Sequence, residues 1–131
     1  MSVQKNFGQY TIVRASALAQ SEVLSLLSAT IAERWASMPI TSREKVANDV
    51  LLPMMFSLPV HVKVKLHNLL IPQASKGGTP INLDIEYFQG KMVEYHRLLA
   101  DLVFWNLDDF FTYIANVLNE DQLTTTEEEA Q

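Results

Sequence analysis

Three histidines and a few carboxylates are the residues with the most to offer chemically. His61 and His67 are six apart, a spacing that separates them on a helix and unites them on one face of a strand. His96 lies between Glu94 and Arg97. None of the three has a ligand-like neighbour at metal-binding spacing, so the reading is surface histidines at 61 and 67 and a hydrogen-bonded helix histidine at 96. Glu94 and Asp101 are seven apart and share a helix face, as an acid–base pair would, but Arg97 four residues before Asp101 fits an ordinary surface ion pair. Three residues after Glu22, Glu33, Glu44, Glu86 and Glu94 stand Ser25, Ala36, Ala47, Gln89 and Arg97, so no Glu-x-x-His di-iron motif exists. Four glycines, two of them adjacent, cannot form a phosphate-binding loop, and no Gly-x-Ser-x-Gly elbow is present. With no cysteine there is no thiolate metal site, disulfide or cysteine nucleophile. The expectation is a protein that binds rather than catalyses, with no cofactor.

The charges are segregated. Asp108, Asp109, Glu120, Asp121, Glu127, Glu128 and Glu129 stand in a C-terminal stretch without Lys or Arg, which leaves residues 1–107 at +2 within a total of −5. No acid occurs between Asp49 and Asp84, while Lys63, Lys65 and Lys76 lie there with His61 and His67. Cations free of interleaved acids can build a field that attracts phosphates. Arg43, Lys45, Lys63, Lys65, Lys76 and Arg97 are therefore the candidate nucleic-acid contacts, on charge alone, and Lys91 could extend the surface. The competing reading is an adaptor or assembly factor whose apolar groove, from Val50 to Phe56 with Met54, Met55 and Phe56, receives another protein. The rings Phe104, Trp105, Phe110, Phe111 and Tyr113 suggest core for Phe110 and Phe111 and partial exposure for Trp105.

These side chains need elements to hold them. Ile12, Ala15, Ala19, Val23, Leu27 and Ile31 recur at helical spacing and predict a first helix over 11–36, ended by Pro39. Thr41 and Glu44 form a capping box opening a second helix, kinked by Pro53. Between Pro59 and Pro72, Val60, Val62, Val64 and Leu66 alternate like a strand, yet Val62, Leu66, Leu69 and Leu70 also form a helical stripe. A strand needs a partner, and no second convincing strand stands out, which favours helix. Residues 73–80 read as a loop, with Thr79 and Pro80 starting a helix over 81–104 and Gly90 inside it. A last helix begins at Asp108, where acids suit the helix dipole. The expected fold is all-α: a compact bundle of about five helices over residues 1–120, followed by an acidic tail, 121–131. The polar start MSVQKNFGQY and an apolar run of only Val50–Phe56 predict a cytoplasmic protein without a membrane segment.

A cysteine-free helical bundle of this length with a mildly basic body resembles the small subunit of a type I, I-D-like, CRISPR interference complex. The opening MSVQKNFGQYTIVRAS, running almost at once into a helix, suits a domain cut from a longer protein, as in that subtype. The resemblance covers residues 1–120 and rests on architecture, not on a motif. It implies a non-catalytic subunit of a large ribonucleoprotein, stacked in side-by-side copies, that touches the backbone of single-stranded DNA or of a guide–target hybrid.

Overall fold

Tyr10 and Ile12 are buried while Thr11 and Val13 are half-buried, the period of a strand with one face on a core. The computed structural model describes residues 4–36, 47–71, 74–114 and 116. Strand β1 (Gln4–Phe7) turns through Gly8 and Gln9 into β2 (Tyr10–Val13). Helix α1 (Ala17–Ala36) follows. A π-helical turn, Ala47–Leu51, leads into α2 (Leu52–Ser57), and α3 (Val60–Leu70) comes next. Strands β3 (Ala74–Lys76) and β4 (Thr79–Ile81) form a second hairpin, and a 3-10 turn, Ile85–Phe88, precedes α4 (Met92–Asn106). A final helix, α5, is described over 108–114.

The all-α expectation is overturned. The two hairpins join into one antiparallel four-stranded sheet in the order β1-β2-β3-β4, so the fold is mixed α/β. The seam pairs Tyr10 with Lys76 and Ile12 with Ala74. Two of the predicted helix starts fail because their residues pair as strands. Residues 11–13 belong to β2, and α1 begins only where Ser16 caps it: the Ala19 amide donates to Ser16 Oγ at 3.2 Å. In the stretch 73–80 expected as a loop, the described residues from Ala74 onward belong to a hairpin whose central residues, Gly77 and Gly78, both have positive φ, the signature of the tight turn that matches strand twist. Thr79 and Pro80 sit in β4, an edge strand that tolerates a proline, and not at a helix start. Gly90, at φ 78°, ends the turn before α4 and is not inside a helix.

Other expectations hold. Residues 60–70 are helical, with Leu66 and Leu70 buried one turn apart. Pro53, expected to kink the second helix, instead lies in the first turn of α2, where its missing N–H is harmless, and the backbone irregularity falls in the π-helical turn just before it. Helix α5 starts at Asp108. The capping box at Thr41 and the tail at 121–131 lie outside the described residues.

One hydrophobic cluster joins sheet and helices: Tyr10 and Ile12 from β2, Val23, Leu27 and Ile31 from α1, Leu51, Met54 and Met55 from the π-helical turn and α2, and Leu99, Leu102 and Val103 from α4. Helix α4 packs on α2 and α3, and α3 packs on α1. Among the described residues no helix is long and apolar enough to cross a membrane.

Candidate functional site

The packing of α3 against α4 places two histidines in a polar seam. Lys63 and His67 are one turn apart on the side of α3 that meets α4. Lys63 Nζ lies 3.0 Å from His96 Nε2, and His96 Nδ1 lies 2.6 Å from the Met92 carbonyl oxygen. A carbonyl only accepts and an ammonium only donates, so Nδ1 carries the hydrogen and Nε2 accepts from Lys63. His96 is buried and fixed in one tautomer. Next to it, His67 Nδ1 lies 2.9 Å from the Tyr95 hydroxyl.

His67 is half-buried, not a surface residue as expected. Burial pushes its pKa below the ordinary 6.5, against the opposing pull of the Leu83 backbone bond and the Asp84 charge. Burial also raises the Tyr95 hydroxyl to about 12. A histidine whose pKa is lowered on folding takes up its proton more readily when unfolded. Its contribution to stability is therefore complete above about pH 6.5 and is lost as the pH falls toward the folded value. We expect the urea midpoint to drop between neutral pH and about pH 5, and the drop to shrink in His67→Phe. Asp101 works the other way: burial raises its carboxyl above 3.8, so acidification relieves a cost. An equal pH slope in His67→Phe and the parent chain would refute the assignment to His67.

Of the six cations proposed as phosphate contacts, the four described ones do not share one face. Arg43 and Lys45 lie outside the described residues. Lys63 is half-buried and bonded to His96. Lys65 is exposed, roughly 200° around the helix from Lys63. Lys76 is exposed at the end of β3, opposite Tyr10. Arg97 is exposed, donates to Asn48 Oδ1 at 3.4 Å, and lies close enough to Asp101 to stabilise its charge. Arg97 also lines a cleft beside the β1–β2 turn together with Tyr10, Glu94 and Asp101, so acids accompany it.

The aromatic and apolar expectations divide. Phe111 is buried and Phe110 half-buried. Trp105 is 9 % exposed, contrary to the expectation of an accessible ring: the Arg14 guanidinium covers it at 4.6 Å and the Phe7 edge meets it at 5.6 Å. The groove expected over Val50–Phe56 is closed, because Val50, Leu51, Met54 and Met55 are core.

Phe56 alone of that run's large side chains turns outward, and its ring stacks against His96 at 4.9 Å. Val60 and Val64, 70 % and 46 % exposed, are one turn apart on the flank of α3 that carries Lys63. Met92, also exposed, supplies the carbonyl that holds His96. Phe56 and Met92 thus bring exposed apolar surface beside the Lys63–His96 pair, and Val60 and Val64 add an exposed row on the helix that carries Lys63. The sequence reading missed this surface, although a signal existed: once Leu66 and Leu70 define the inner side of α3, Val60 and Val64 form a second apolar row with no place in the core. No protein-family model, no curated protein and no solved structure matches this chain.

Proposed function

We propose that the chain is a non-catalytic protein-binding module, an adaptor or assembly factor, that docks another polypeptide on the surface formed by Phe56, Val60, Val64 and Met92. The observation that carries this reading is the exposure of these four side chains, with Phe56 and Met92 beside His96 and Val60 and Val64 on the helix whose Lys63 bonds to it. Isolated exposed apolar residues are ordinary, whereas a contiguous group rimmed by polar ones marks an interaction surface. Covering it removes apolar area from water at about 25 cal/mol per Å². Methionine adapts to the shape of what it meets, and the fixed Lys63–His96 pair gives the apolar ring a rigid floor.

The nucleoprotein reading, with the chain as a small CRISPR-type subunit on a phosphate backbone, draws on the acid-free stretch between Asp49 and Asp84. It is the weaker of the two, because Lys63 is engaged by His96 and Arg97 is accompanied by Glu94 and Asp101. A photo-crosslinking amino acid at position 60, introduced into the full chain in the cell that produces it, separates them. The expected result is a discrete adduct that survives nuclease, is digested by protease, and disappears with Phe56→Asp. The same group at Ser25, exposed on α1, should not give it. An adduct removed by nuclease, an identical adduct from Ser25, or no adduct at all would overturn the proposal.

A further inference from the structure

The His96 ring is held on three sides. Its Nδ1–H donates to the Met92 carbonyl oxygen at 2.6 Å, its centroid lies 4.9 Å from that of the Phe56 ring, and its Nε2 accepts from Lys63 Nζ at 3.0 Å. These contacts respond differently to an added proton. A doubly protonated ring donates from both nitrogens. The Met92 bond survives and becomes charge-assisted, and the aromatic face of Phe56 attracts a cation. Only the Lys63 contact reverses, because an ammonium has no lone pair to receive the new N–H. A proton and Lys63 therefore compete for one lone pair.

Burial decides which of the two moves. His96 is buried and tied to its own helix through Met92, four residues earlier. Lys63 is half-buried, on a flexible four-carbon stem that can swing its head into water while its methylenes stay on apolar surface. The other ionisable groups nearby supply no substitute. Helix α2 has none. Helix α3 adds His61 and Lys65, both exposed, and His67, whose Nδ1 is taken by the Tyr95 hydroxyl. The π-helical turn carries Asp49, which accepts from Asn48 at 3.2 Å. The 3-10 turn carries Glu86 and Tyr87, and Asp84 before it acts on His67. On α4, Lys91 lies over the Tyr87 ring, and Glu94, Arg97 and Asp101 line the cleft beside Tyr10. Among the described residues, Lys63 is the one ionisable side chain bonded to His96.

We infer that Lys63 and His96 form a proton-operated latch across the α3–α4 seam: neutral His96 holds the ammonium in place, and protonated His96 releases it to solvent while itself staying between Met92 and Phe56. Histidine suits the role, because it is the unperturbed side chain that changes charge between about pH 5 and 8. On release the seam carries two cations where it carried one, and Lys63 becomes a free charge on the exposed flank of α3. The inner side of α3 keeps its anchors, Leu66 and Leu70. The device does not depend on what docks beside Phe56.

The test follows both residues by nuclear magnetic resonance in the full, isotope-labelled chain between about pH 8 and about pH 5. The ring nitrogen signals of His96 report its protonation, and the order parameter of the terminal Lys63 methylene reports whether the ammonium is held. At the upper pH Lys63 should be more ordered than Lys65. As His96 gains its second proton, the Lys63 value should fall by about a third or more, to that of Lys65, while the Phe56–His96 ring contact persists. His96→Gln keeps an acceptor for the ammonium but takes up no proton, so Lys63 should not respond to pH there. His67→Phe removes the other histidine of the seam and should leave the response intact; its loss in that variant would assign the change to His67 and overturn the inference. So would a Lys63 as mobile as Lys65 at every pH, a Lys63 that stays ordered after His96 is protonated, or a His96 ring that remains neutral until the chain unfolds. The same fall in His96→Gln would overturn it as well.

Discussion

Replacing Phe88 by alanine is expected to destabilise the fold by about 3–5 kcal/mol, the usual range for deleting a fully buried ring. A domain of this kind has about 5–15 kcal/mol in total, so the loss is a large fraction of it. The reason is position. Phe88 is completely buried at the end of the 3-10 turn, and its ring meets Tyr10 of β2 at 6.1 Å and Tyr95 of α4 at 5.1 Å. It therefore ties the sheet to the helical layer through a ring that touches both. Tyr87 adds an edge contact at 5.2 Å from outside. A void there has rings on several sides that cannot all collapse inward, because each is anchored in a different element. Urea unfolding should show a lower midpoint at unchanged slope. Phe88→Leu, which leaves a smaller void, should lose less. An alanine variant within about 1 kcal/mol of the parent would show that the sheet and helices are not coupled through this ring.

The next largest effect is expected from Asn106→Leu, at about 2–3 kcal/mol. Asn106 is buried at the C-terminal end of α4, and its Oδ1 accepts from the Ala15 backbone amide at 2.8 Å. Its Nδ2 donates to the Leu102 carbonyl at 2.9 Å. The pair spans 91 positions of sequence and fastens the bend between β2 and α1 to α4. Leucine matches the shape but leaves the Ala15 amide buried without an acceptor, and an unsatisfied buried donor costs more than the bond itself contributes. Gln20 cannot take over, because it turns its amide nitrogen, a donor, to this point, at 3.1 Å from the Ala15 carbonyl and 3.5 Å from Asn106 Oδ1, and so offers the Ala15 amide no acceptor. Gln20→Ala should therefore cost less than Asn106→Leu. Amide hydrogen exchange gives a direct readout: the Ala15 N–H should lose protection in Asn106→Leu while amides in the middle of α1 keep theirs. Retained protection at Ala15 would refute this account.

Both effects depend on contacts between residues far apart in sequence, and the same division runs through the whole fold. The helices were readable because each carries its own period. Residues 60–70 show Leu66 and Leu70 one turn apart, and that local pattern outweighs the alternation that overlaps it. The core role of Phe111 and the start of α5 at Asp108 are local properties of the same kind. The strands were not readable in that way. Each has only three or four residues, too few for a period of two to stand out from chance. What did announce the second hairpin was Gly77-Gly78, two residues that favour a primed turn; treated as a flexible loop, they hid β3 and β4.

The candidate surface divides likewise. Its residue types, the acid-free middle of the chain and the apolar pairs Met54–Phe56 and Val60–Val64 are plain in the order of amino acids. Which of those apolar residues face the core and which face water was settled by packing: α4 covers Met54 and Met55 and leaves Phe56 outside. The cations give the clearest example. By composition, Lys63 and Lys65 are equivalent. In the fold, Lys63 is bonded to a histidine 33 residues away and Lys65 stands free of α4. Local order thus determined which segments coil and where charge accumulates, since propensity and periodicity act over a few neighbouring residues. The joining of two hairpins into one sheet, the burial of Trp105 and the fixing of His96 by Lys63 were decided only by tertiary structure, because each is a contact between segments brought together when the core closes.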